Sequence, residues 1–148
     1  MFFYRYIIPI ALLFSCVLCD EWRNTRLGIK NYRQEDYSEA LDNFEKAQKS
    51  APDNPITAYN VGATMYKQER YGDAAHQFAN AIKNDTIITD TSLTADFLYG
   101  IGNCAYRADS MNQAVELYKS SILIQPVSYT HLRAHETSLH LVCRLLLE

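Results

Sequence analysis

Glycine is scarce in this chain, five in 148 residues, and tryptophan occurs once, at Trp22. With so few glycines there is no Gly-rich phosphate loop, and no Ser/His/Asp arrangement or pair of acids suited to acid–base work is legible either. Cations do not outnumber anions: 14 Lys+Arg stand against 17 Asp+Glu, a formal net charge of −3. A basic footprint for nucleic acid is therefore missing. Cysteine is thin where it would matter, because Cys16, Cys19 and Cys143 lie near the ends and Cys104 is alone in the middle. One thiol closes no internal disulfide, so the body of the chain must be held by packing. Long apolar runs are absent too. The longest, from Tyr6 to Leu18, is 13 residues and contains Pro9, short of the roughly 20 that span a bilayer as a helix. These shortages predict neither an enzyme nor a holder of a cofactor or metal.

The chain reads as three pieces. Residues 1–19 carry one cation, Arg5, then the apolar run, and the sequence turns polar at Asp20 and Glu21. That is the layout of a secretion signal or N-terminal anchor. Three readings stand open: cleavage after Cys19, lipidation of Cys16 in the lipobox-like Leu13-Phe14-Ser15-Cys16, or an uncleaved anchor. All three place the body outside the cytoplasm, secreted or periplasmic, with attachment to a membrane through this segment in two of them. At the other end, residues 127–148 set His131, His135, His140 and Cys143 at spacings that a zinc site could use. A different origin accounts for them better. Pro126 through Thr137, and then His140 through Leu147, resemble in-frame translations of two sequencing adapters separated by the length of an index barcode. On that reading the tail is non-native, the sequence is a fragment, and no metal site is expected. The middle piece, residues 20–125, keeps 11 Lys+Arg and 15 Asp+Glu, with His76 and Cys104 as its sole histidine and cysteine.

That middle piece repeats. Gly28, Gly62 and Gly102 are equivalent, as are Leu27, Val61 and Ile101, and likewise Ala40, Ala74 and Ala114; every set is spaced by 34 and then 40 residues. A constant period of 34 with six residues inserted near 89–94 describes all of them. The inserted stretch is rich in Thr and Asp and is expected to be a loop. Apolar and small residues recur at helical spacing over 26–34 and again over 58–68, and a short polar break follows each. The second helix then runs Tyr37-x2-Ala40-x3-Phe44-x2-Ala47, repeated as Tyr71, Ala74, Phe78, Ala81 and as Met111, Ala114, Tyr118, Ser121. Small residues at Gly28 and Ala40 should let two helix axes approach, with Phe44 filling the gap between units. Pro52 and Pro126 stop the second helices.

At these residues the chain resembles the tetratricopeptide repeat (TPR) family, whose unit is W-x2-L-G-x2-Y, then A-x3-F, A and P. The repeats would be 21–54, 55–88 and 95–128, forming a TPR domain over 20–126. Departures are Asn24, Ala58 and Leu98 at the Trp position, Ser121 for the last Ala and Thr86 for a Pro. The resemblance implies an all-α solenoid of three helix-turn-helix repeats stacked into a right-handed superhelix. More narrowly, a secreted chain of this style resembles the TPR partners in bacterial Bat aerotolerance operons.

The function implied by the resemblance is binding of a protein partner's peptide or helix in a concave groove lined by the first helix of each repeat. Carried over position by position, that groove takes Trp22, Thr25, Arg26, Ile29, Tyr32 and Arg33 from the first repeat. Ile56, Tyr59, Asn60, Ala63, Tyr66 and Lys67 follow from the second, and Asp96, Tyr99, Gly100, Asn103, Tyr106 and Arg107 from the third. Tyr32, Tyr66 and Tyr106 share one position and Arg33, Lys67 and Arg107 the next. Such paired ladders suit a peptide with aromatic or apolar anchors and acidic groups. The competing reading packs the tyrosines between repeats and leaves the cations solvated, making the chain a spacer or oligomerisation module. Of the positions that grip a terminal carboxylate pair in chaperone-binding TPRs, here Thr25, Ile29, Asn60, Asp96 and Gly100, only Asn60 matches. His76 is expected to be structural or exposed, and Cys104 a buried small hydrophobe.

Overall fold

The computed structural model describes residues 20–84 and 91–124. The readings made for residues 1–19, for the adapter-like tail and for its four candidate zinc ligands lie outside the described residues. Within them the chain is helical over residues 20–33 (α1), Tyr37–Ser50 (α2), Pro55–Lys67 (α3), Tyr71–Asn84 (α4), Thr91–Arg107 (α5) and Met111–Ile124 (α6). Among the described residues there is no strand, and no helix is long and apolar enough to cross a membrane. Each consecutive pair forms a hairpin, and the hairpins stack so that α3 packs on α2, α4 and α5 while α5 packs on α4 and α6. This is the all-α helical repeat expected from the spacing.

The same turn closes all three hairpins. Glu35, Glu69 and Asp109 sit in the left-handed region, at φ of 61°, 62° and 61°. Around each, the amide one residue on donates back to the carbonyl five residues earlier: Asp36 to Asn31 (3.0 Å), Arg70 to Met65 (3.0 Å), Ser110 to Ala105 (2.9 Å). The left-handed residue's own amide donates to Tyr32, Tyr66 and Tyr106 respectively. These are the two bonds of a Schellman motif, which satisfies the last carbonyls of the first helix. The next helix starts at once. Asp36 accepts from the amide of Glu39 (3.2 Å) as the N-cap of α2, while Asn54 accepts from Ile56 (2.9 Å) and stands before Pro55 at the opening of α3. That cap is why α3 begins three residues ahead of the expected span.

Glycine and aromatic rings build the seams. A Cβ at Gly28 would lie 2.6 Å from the Phe44 ring, one at Gly62 2.5 Å from Phe78, and one at Gly102 2.7 Å from Tyr118. Phe44 thus packs first across its own hairpin. It also meets Val61 of the next repeat in a core with Ala40 and Leu41. Phe78 goes further, touching both Gly62 and Gly100 and clustering with Ala74, Phe97 and Cys104. Ser121, where the other repeats carry Ala47 and Ala81, is buried and donates to the Ala95 carbonyl at 2.8 Å.

The insertion is not wholly a loop, as had been expected. Thr91 to Thr94 are helical and extend α5 to 17 residues against the 13 of α3. Leu93 explains this, because it packs on the core around Phe78 and Phe97, and burial of one apolar side chain outweighs the weak helix propensity of its threonine neighbours.

Candidate functional site

The candidate site is the outward surface of α1, α3 and α5. None of the groove positions carried over from the repeat pattern is buried, whereas Thr57, Ala58, Val61, Gly62 and Thr64 on the same α3 are. The helical period therefore divides α3, and likewise α5, into a packed side and an accessible side, whereas α1 buries Gly28 alone. Apolar side chains are left open on the accessible side, with Ile56 58% and Ile29 38% exposed.

Tyr32 and Tyr66 are both half-buried and lean edge-on against the tyrosine that opens the following helix, Tyr37 and Tyr71, with centroids 5.4 Å apart in each pair. The contact stays within the repeat, and Met111 takes the tyrosine's place beside Tyr106 in the third. Burial pushes the Tyr32 phenol up to about 12, aided by Tyr37 and Tyr59, and raises Tyr66 in the same direction. Both stay neutral hydrogen-bonding rings under ordinary conditions.

The cations differ from one another. Arg33 and Lys67 are exposed. Arg107, also exposed, stacks over the Tyr71 ring at 5.4 Å and donates Nε to the Tyr71 hydroxyl at 3.1 Å. That hydrogen bond is the main reason its pKa is raised further. Arg107 therefore turns toward the hairpin-turn edge, where Glu69, Tyr106, Asp109 and Met111 complete a shallow cleft.

Tyr59, Tyr99 and Asn103 have packing duties, and Asn60 a backbone one. Tyr59 lies 5.6 Å from the Phe78 ring and 5.8 Å from Phe97, and burial raises its pKa, with Asp96 adding to the shift. Tyr99 stacks at 5.4 Å on Tyr118, whose hydroxyl donates to the Asn103 amide oxygen at 2.8 Å. Asn60 offers its carbonyl to the Thr64 hydroxyl at 2.7 Å. The arrangement thus brings Tyr66, Arg107 and the unforeseen Tyr71 together at one edge, leaves Arg33 and Lys67 projecting, and uses Tyr59, Tyr99 and Asn103 partly as seam. Tyr37 and Tyr71 were legible only as periodic markers of the second helix. His76 is exposed, and Cys104 is buried with its thiol pushed up to about 11 by desolvation.

Residues 64–126 match the tetratricopeptide repeat family model. No curated protein matches the chain. Solved structures do. The N-terminal domain of stress-induced protein-1 (STI-1) from C. elegans superposes with a TM-score of 0.66 at 18% identity, over 83% of this chain and 94% of that one. The TPR2AB domain of yeast Sti1, solved as a pHSP90 complex, gives 0.68 at 20% identity over 81% and 47% of the two chains. The first TPR of Spaghetti (RPAP3), bound to the HSP90 peptide SRMEEVD, gives 0.64 at 18% over 82% and 94%. At these identities the likeness is one of fold, and the fold is an all-α TPR helical repeat.

Proposed function

We propose that this chain is a protein–protein interaction module that holds an extended peptide or a partner's helix along the accessible side of α1, α3 and α5. The observation that carries the reading is the division of α3 and α5 into a packed side and a side on which no carried-over groove position is buried, continued by the accessible groove positions of α1. A surface that keeps Ile29, Ile56 and a row of half-buried tyrosines accessible costs apolar exposure unless a partner covers it. Structural neighbours solved with HSP90 peptides support the same use of the fold. The ligand chemistry differs from theirs, since Thr25, Ile29, Asp96 and Gly100 supply no clamp for a terminal carboxylate pair. Arg33 and Lys67 beside Tyr32 and Tyr66 favour internal acidic residues next to an apolar or aromatic anchor. Read as a secretion signal or anchor, residues 1–19 suit a scaffold or assembly factor in a cell envelope, secreted or membrane-attached, resembling the TPR partners in bacterial Bat aerotolerance operons.

A peptide array of acidic, aromatic-bearing segments followed by fluorescence anisotropy on the full chain tests the reading. Tyr66→Ala with Lys67→Glu should weaken the best peptide at least about tenfold, equivalent to about 1.4 kcal/mol, with an unchanged helical circular dichroism spectrum. Binding that survives this pair but is lost on substituting exposed residues of α2 or α4 would overturn it in favour of a spacer whose contacts lie elsewhere.

A further inference from the structure

The first helix breaks the repeat at one register. In the second repeat Thr57, Val61 and Thr64 are buried, and in the third Phe97 and Cys104 are buried with Ile101 packed against the Phe78 cluster. Val61 reaches the Phe44 core of the preceding repeat, as Phe97 and Cys104 reach that of Phe78. The same register on α1 holds Arg23, Leu27 and Lys30, all exposed, and no described helix packs on them. A stack end needs only polar residues to stay soluble. This one has more: Trp22 is 63% exposed and Leu27 42%, and they are joined by Arg26 and Arg33; Trp22, Arg26 and Arg33 are also groove positions of the repeat pattern, so on α1 the two surfaces overlap. All six line one shallow cleft along α1. The Arg26 guanidinium lies over the Trp22 ring at 5.3 Å, and Arg23 pairs with Asp20 at 3.1 Å. Among the described residues Lys30 and Arg33 make no ion pair.

We propose that this outer face of α1 is a docking surface for an anionic lipid bilayer. It rests on the reading of residues 1–19 as a membrane attachment. Asp20 follows Cys16 by four residues, so a chain fixed to lipid at Cys16 or after it carries the start of α1 within about 14 Å of the surface. At that distance four cations beside a tryptophan and a leucine match what an anionic interface attracts: headgroup charge for the basic side chains and the headgroup–acyl boundary for the ring. One lipid chain plus a basic patch is also a combination that makes attachment stable.

Trp22 is the only tryptophan and reports the contact directly. The full chain is floated with neutral phosphatidylcholine vesicles and with vesicles containing phosphatidylglycerol, and acrylamide quenching of Trp22 is read in each. The expected result is flotation with both and quenching that falls several-fold on anionic vesicles alone. That protection should vanish in high salt and in the Arg23→Glu/Lys30→Glu/Arg33→Glu variant, which still floats and keeps its helical spectrum. Flotation with both but equal quenching overturns the docking face and leaves the attachment standing. Flotation with neither overturns both. Protection by soluble polyglutamate but not by anionic vesicles assigns the face to an acidic protein segment and overturns the lipid proposal.

Discussion

The ring of Phe78 is held between two glycines of different repeats. A Cβ at Gly62 would lie 2.5 Å from it and one at Gly100 2.8 Å. Gly62→Ala gains up to about 1 kcal/mol of helix propensity, but the ring cannot retreat from one side without meeting the other. Overpacking of this kind costs about 1–3 kcal/mol, so the net effect is expected to be destabilising, read as a lower midpoint in urea. Gly72→Ala is the internal control. Nothing lies within 4 Å of its Cβ, and it should raise stability by about 0.5–1 kcal/mol. Close approach of ring and backbone is also why the glycines were the most legible marks in the sequence. Less legible were polar atoms that act at a distance. Nothing in the pattern tied the Tyr118 hydroxyl to Asn103, or Arg107 to Tyr71, since each bond joins residues on different helices whose rotamers only packing decides.

Each hairpin turn spends a residue in a conformation that side chains disfavour. Glu35, Glu69 and Asp109 all stand where helices commonly end in Gly, and the cost of a Cβ there is roughly 1–2 kcal/mol per residue. Glu69→Gly should therefore stabilise the chain by about 1 kcal/mol, measured as a shift of the urea midpoint at unchanged slope; a loss of stability would mean the glutamate makes a contact worth more than the strain. The sequence marks the first two turns as polar breaks, at Glu35-Asp36 and Glu69-Arg70, but the geometry of all three was hidden because no Gly or Asn advertises it. The lengthened α5 was hidden for a different reason. Thr and Asp near 89–94 have the composition of a loop, and only the burial of Leu93 recruits part of that stretch into helix.

Across the whole molecule the shifted groups point one way. Burial raises Tyr32, Tyr59, Tyr66 and Tyr118 as well as Cys104, the thiol to about 11. Groups raised in the folded state contribute stability that is fully present below their unfolded values, about 8.5 for Cys and 10 for Tyr, and is lost as pH rises through the folded ones. Urea unfolding followed by circular dichroism should therefore show little change between neutral pH and about 8.5, then a steady fall toward pH 11 and beyond. A flat profile over that range would mean the phenols are solvated in the native state. The architecture itself was legible because its period, its small residues and its rings are consequences of one repeated packing problem. The site was legible only as a face. Which of its tyrosines are free and which are wedged into the seam, as Tyr59 is between Phe78 and Phe97, depends on neighbours contributed by other repeats.

The two ends of the stack are chemically unlike. At the start, Arg23 and Lys30 stand on the register that later repeats bury. At the finish, Leu123 is 81% exposed and Ile124 39%, where the equivalent places in the first repeat are Lys49 and Ser50. A helix laid before α1 would have to strip water from two cations, at a cost of several kcal/mol per ion, whereas Leu123 and Ile124 carry no charge to desolvate, although their register stays exposed at Lys49 and Lys83 even where a repeat follows. The described stack is therefore chemically unlike along its axis, cationic on its first helix and aliphatic at the last turn of its last.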